Sequence, residues 1–136
     1  MGSASLIFAP FECGYVGPLK SESFGSVLKA LARLLSARSF ITKTYQSGAQ
    51  FLDSLTEGPP DCLIVDLQMP EMTGLKLQQN LNRRGLRIPT IIITAHDESG
   101  MREQCKNAGA IAYLSKPVHD TSLFAAIEAA GVTGNS

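Results

Sequence analysis

Three short apolar runs each end in a residue able to do chemistry. Cys62–Val65 runs into Asp66, Thr90–Ile93 into Thr94 and Ala95, and Ile111–Leu114 into Ser115, Lys116 and Pro117. Uninterrupted apolar runs of this length suit strands buried on both faces of a parallel sheet. Ligands of such sheets bind outside the carboxyl ends of the strands. The sequence therefore delivers a carboxylate, a hydroxyl and an amine to one edge. A carboxylate there can attack phosphorus and form an aspartyl phosphate. The added negative charge calls for a cation and for hydroxyl or backbone N–H donors. Lys116 supplies the cation, Thr94 the hydroxyl, and the small Ala95 leaves space for the phosphoryl group. Singly, each has an ordinary explanation, since Asp or Thr after a strand is usually a turn former or a cap. The joint arrangement, in order on three separate strands, carries the reading.

The elements that must position these groups alternate along the chain. Ser26–Ala37 has helical spacing through Val27, Leu28, Leu31, Leu34 and Leu35. Phe40–Tyr45 reads as a strand. Ser47–Leu55 is helical and is broken by Gly58-Pro59-Pro60. Thr73–Arg84 is helical, with Thr73 as its cap and Leu75, Leu77 and Leu81 as apolar members. Ser99–Ala108 is a more polar helix closed by Gly109, and Asp120–Ala130 is the last helix, facing inward through Leu123, Phe124 and Ile127. Strands alternating with helices of this length imply right-handed β-α-β units and a parallel α/β sheet. A further strand must precede the first helix. Leu6–Ala9 (LIFA) is the more hydrophobic candidate, whereas the segment GYVGPLKS contains Pro18, which cannot donate to a ladder.

Composition narrows the class. The 136 residues suit one domain. With 44% hydrophobic and 18% charged residues the chain is globular rather than disordered. Twelve basic and twelve acidic side chains balance, so the basic excess expected of a nucleic-acid-binding chain is missing. No apolar run is long enough for a membrane span, and the N-terminus has no signal-peptide pattern. Cys13, Cys62 and Cys105 have no paired spacing, which suits reduced thiols in a cytoplasmic protein. His96 and His119 read as surface residues, and Met69 and Met72 as packing residues. Neither a glycine-rich phosphate loop nor a nucleophile–base pair supports a conventional enzyme or a flavin carrier.

The stretches DCLIVDLQMPEMTGLKL, IPTIIITAHD and AGAIAYLSKPV resemble the receiver domains of two-component response regulators. The likeness covers roughly 22–130 and is nearest to receivers that precede helix-turn-helix output domains. It implies a flavodoxin-like, doubly wound (βα)5 fold with a five-stranded parallel sheet in the order 2-1-3-4-5. It also implies a receiver domain over 1–131, with 1–21 atypical and holding the first strand, and a tail or linker over 132–136. By this resemblance Asp66 accepts a phosphoryl group from a sensor histidine kinase. Thr94 and Lys116 contact that group, Ala95 and Pro117 line its pocket, and Tyr113 is the switch aromatic moved as Thr94 is pulled toward the phosphate. The cofactor is Mg²⁺, bound by Asp66 and the backbone carbonyl of Gln68. Pro70 and Gly74 shape the loop that follows. The chain's catalysis is at most its own phosphorylation and the hydrolysis of its aspartyl phosphate. Switching falls on the helix Ser99–Ala108, the strand Ile111–Leu114 and the last helix, a surface that also suits a homodimer. The output, a transcriptional domain or partner, would carry any DNA contact. The chain is then either a stand-alone receiver or a fragment whose output domain follows Gly131.

One part of the pattern is missing. Family members place two adjacent acids at the end of the first strand, where with the acceptor Asp they bind Mg²⁺ through oxygen. Here the candidates to replace one of them are Glu12 and Glu22, each more readily read as a solvated surface carboxylate. Fewer acids should weaken Mg²⁺ binding. The alternative to a phosphorylated receiver is a degenerate pseudo-receiver, an interaction module that signals without phosphate.

Overall fold

A computed structural model describes residues 12–17, 41–67, 69, 72–96, 98–116 and 118–129. Five strands form one parallel sheet: β1 (Glu12–Val16), β2 (Ile41–Tyr45), β3 (Cys62–Asp66), β4 (Thr90–Thr94) and β5 (Ala110–Ser115). Their spatial order is β2-β1-β3-β4-β5, the order implied above. Four helices are described: α1 (Gly48–Ser54), α2 (Gly74–Arg83), α3 (Met101–Asn107) and α4 (Asp120–Ala129), with a 3₁₀ turn at Leu55–Glu57 after α1. The expected helix Ser26–Ala37 and the expected tail lie outside the described residues.

The strand alternation sorts the core into two layers. Cys13, Tyr15, Cys62, Ile64, Ile91 and Ile93 face Leu123, Ala126 and Ile127 of α4. Val16, Leu63, Val65 and Ile92 face Phe51 of α1, Leu77 and Leu81 of α2, and Cys105 of α3. Helices on both faces explain why β3 and β4 are buried at every position and why their sequences show no polar alternation. The edge strand β2 is mostly exposed. Its Tyr45 ring meets Phe51 edge-on at 5.3 Å between centroids, which ties the edge to α1.

Local chemistry sets the helix starts. The Ser47 hydroxyl accepts from the Gln50 amide at 3.1 Å, and the Thr73 hydroxyl from the Lys76 amide at 3.1 Å, as N-caps do. Gly109 leaves α3 at φ 109°, a conformation open to glycine.

The first strand differs from the expected one. The strand between β2 and β3 is Glu12–Val16, not Leu6–Ala9, which lies outside the described residues. The ladder ends at Val16, and the Gly17 amide still donates to Tyr45 at 3.0 Å. Glu12–Val16 precedes Pro18 in sequence, so the strand itself contains no proline.

Candidate functional site

Asp66 closes β3 and is almost fully buried. The Lys116 ammonium, just past β5, reaches its Oδ2 at 2.7 Å, with side-chain exposures of 11% for Lys116 and 2% for Asp66. A charge-assisted bond of this length on so buried a carboxylate is a strong local constraint. The supporting backbone is tight. The Leu67 amide donates to Ile93 at 2.7 Å, and the Lys116 amide to Thr94 at 2.8 Å. These bonds bring the ends of β3, β4 and β5 to one place, as the sequence implied.

Thr94 is buried at the end of β4. Its hydroxyl donates to the His96 carbonyl at 2.8 Å and accepts from the His96 amide at 3.0 Å. Ala95 and His96 are exposed beside it. Tyr113 is buried at 3% exposure within the layer that holds Val16 and Val65. Arg102 of α3 places its guanidinium 4.8 Å from the Tyr113 ring centroid and donates to the Tyr113 carbonyl at 3.3 Å. Arg102 escaped the sequence reading because it lies on another element. Its position as the second residue of α3 carries no signal of its own.

Gly74 shows why a glycine opens α2. A Cβ there would meet the Asp66 carbonyl, Leu67 Cα and Val65 Cγ1, each at 3.2 Å. The Gly74 amide also donates to Leu67 at 3.1 Å. The start of α2 is thereby pressed onto the end of β3. Gln68, Pro70, Pro117 and Glu22 lie outside the described residues.

Glu12 does not reach this edge. It opens β1, whereas Asp66 closes the parallel β3 opposite Gly17, which puts the two about 16 Å apart along the strands at about 3.3 Å per residue. Glu12 instead pairs with Lys43 at 3.2 Å. Its amide donates to Asp61 Oδ2 at 2.7 Å, and the Asp61 amide returns a bond to the Glu12 carbonyl at 2.8 Å. A partner-held position at the amino edge is the physical reason it cannot replace a metal-binding acid beside Asp66.

By register Val16 pairs with Val65, so the residue alongside Asp66 on β1 is Gly17. A Cβ on Gly17 would meet the Tyr15 hydroxyl at 2.8 Å and Asp66 Cβ at 3.0 Å. Tyr15 is fully buried, and its phenol is pushed up in pKa by that burial and by the Asp66 charge. It therefore stands protonated beside the carboxylate. Sequence reasoning missed Tyr15. The available signal was an aromatic two residues before a Gly-Pro break, in phase with the run that ends in Asp66.

A family model for the response regulator receiver domain matches residues 24–128. The chain belongs to the response regulator receiver family. This receiver is 38% identical over 104 residues to the transcriptional regulatory protein FixJ of Rhizobium meliloti (strain 1021), covering 76% of this chain and 51% of that protein. It is 35% identical over 105 residues to the response regulator protein TodT of Pseudomonas putida, covering 77% and 46% respectively. The receiver thus spans about half the length of these curated relatives. Its fold matches the crystal structure of FixJ-N with a TM-score of 0.73 and 32% identity, over 90% of this chain and 94% of that one. The family match begins after β1, the strand on which the receiver departs from the expected acidic pattern.

Receivers generally use Mg²⁺ in phosphorylation. The described residues here do not fit that ion. No group of three or more His, Cys, Asp or Glu able to hold a metal occurs among them. The neighbour of Asp66 on β1 is a glycine whose side-chain space is taken by a phenol.

Proposed function

We propose that this receiver takes a phosphoryl group onto Asp66 from the phosphohistidine of a sensor histidine kinase. The observation that carries the reading is the buried 2.7 Å contact between Lys116 and Asp66. An Asp66 carboxylate oxygen attacks phosphorus, the P–N bond breaks, and its electron pair stays on the imidazole nitrogen, which then takes up a proton. Lys116 offers its charge to the phosphoryl oxygens as they arrive. Ala95 borders the space they enter. Thr94 would have to exchange its His96 contacts for the phosphoryl group, and Tyr113 would respond beside Arg102. The switching surface is then α3, β5 and α4, facing an output domain or partner. The transcriptional names of the relatives support a DNA-binding output, and the same surface suits a homodimer. No described helix is long and apolar enough to cross a membrane, which accords with work in the cytoplasm.

The test is incubation with acetyl phosphate and Mg²⁺, followed by intact mass. One added phosphoryl group on the wild type and none on Asp66→Asn supports the reading. No addition at high Mg²⁺ overturns it and favours a pseudo-receiver that signals without phosphate. One observation favours that second reading: Gly17, rather than an acid, accompanies Asp66 on β1.

A further inference from the structure

The end of β1 carries a group that neither the receiver pattern nor the acceptor chemistry accounts for. Cys13, Tyr15 and Gly17 alternate along one face of β1, in phase with Cys62, Ile64 and Asp66 on β3. Cys13 and Tyr15 pack into the apolar layer under α4. At position 17 the alternation delivers no side chain, and the vacated space beside Asp66 is taken by the Tyr15 hydroxyl, 2.8 Å from where a Cβ would stand. The phenol is thus held by its ring in the core and by its tip at the site.

We propose that the Tyr15 phenol stands in for a divalent cation at Asp66: it fills the cation's side of the pocket and presents an O–H to anionic oxygens held beside Lys116. A phenol is a hydrogen-bond donor at neutral pH and carries no charge. Beside a carboxylate it lowers the cost of negative charge without adding a ligand for Mg²⁺, which prefers carboxylate and water oxygens in near-octahedral array. The Lys116 ammonium reaches the carboxylate from the end of β5, and the phenol stands beside Asp66 at the end of β1. The role toward a phosphoryl group rests on the acceptor reading of Asp66, whereas the exclusion of metal does not.

Two measurements on the whole chain separate these parts. Calorimetric titration of the wild type with MgCl₂ should give no saturable binding in the millimolar range. The substitution Gly17→Asp combined with Tyr15→Val, which restores an acid and removes the phenol, should create it. Phosphorylation by acetyl phosphate should proceed at the same rate in Mg²⁺ and in EDTA. Tyr15→Phe keeps the ring and should slow it about tenfold, as expected for losing one hydrogen bond to a charged group. Unchanged thermal melting of Tyr15→Phe keeps that comparison independent of folding. Saturable Mg²⁺ binding by the wild type at millimolar concentration or below, or a Tyr15→Phe variant phosphorylated at the wild-type rate, overturns the assignment. If the wild type accepts no phosphoryl group in either buffer, the acceptor reading fails. The exclusion of metal is then decided by the calorimetry alone: saturable Mg²⁺ binding by the wild type overturns it, and binding gained only by the double variant supports it.

Discussion

The Lys116 amide donates to the Thr94 carbonyl at 2.8 Å while the Lys116 ammonium, on the same residue, meets Asp66 at 2.7 Å. One residue therefore fixes the end of β5 to β4 through its backbone and to β3 through its side chain. The two bonds are not interchangeable. The first survives any substitution except proline, and the second depends on the charge.

Lys116→Met should expose that difference. It leaves the Asp66 carboxylate buried without its nearest cation. Removing one partner of a buried pair costs about 3–5 kcal/mol. Asp66→Asn should cost less, because Lys116 retains some access to water. The double substitution should then be more stable than Lys116→Met alone. Urea unfolding of the four proteins checks the order, and additive losses would contradict it.

Arg102→Ala should loosen Tyr113 without unfolding the sheet. It removes a cation from the ring and a donor from the Tyr113 carbonyl. A cation–π contact of this kind contributes about 0.5–1 kcal/mol. The expected result is a small drop in stability together with shifted Tyr113 ring resonances in NMR spectra. Unchanged ring signals would mean that the cation does not hold the aromatic.

Gly74→Ala should be destabilising although alanine favours helices. Its methyl group would press on three neighbours at the end of β3. Overpacking of this kind costs about 1–3 kcal/mol, more than the ~1 kcal/mol gained in helix propensity. The variant should also be phosphorylated more slowly, because the displaced atoms include the Asp66 carbonyl. Wild-type stability by urea unfolding would count against the contact.

Alkaline pH should weaken the fold through Cys13. Its thiol is raised well above the ordinary 9.0, first by its hydrogen bond with Cys62 and then by burial. In the unfolded chain the thiol loses its proton near pH 9 while the folded one keeps it. This contribution is complete below pH 9 and is lost as pH rises above it. Urea midpoints at pH 7, 9 and 10 should fall in that order, and Cys13→Ser should flatten the trend. All three cysteines are buried, so alkylation at pH 8 should follow global unfolding.

Much of this is legible in the sequence. Asp66, Thr94 and Lys116 each follow an uninterrupted apolar run, and a run of that kind announces its burial without help from the rest of the chain. The caps Ser47 and Thr73 are likewise local events. β1 was harder. It begins with a charged residue and contains Gly14, while Leu6–Ala9 is more hydrophobic. What selects Glu12–Val16 is pairing with Ile41–Tyr45 on one side and Cys62–Val65 on the other, and strand choice depends on such partners more than on intrinsic preference. Tyr15 was missed for the same reason. Its importance comes from the residue across the ladder. The hold of Arg102 on Tyr113 also joins residues on different elements.

The position of β1 also bears on how the chain assembles. The strand that leaves the ribosome first among the described ones fits into the sheet between two strands made later. Its Glu12–Asp61 contact closes a separation of 49 residues. Long-range closures slow folding, and until this one is made β2 and β3 each present an unpaired edge. A nascent chain paused shortly after β3 emerges would hold its most aggregation-prone state. A peptide carrying the β1 sequence, added in trans, should shorten the life of that state.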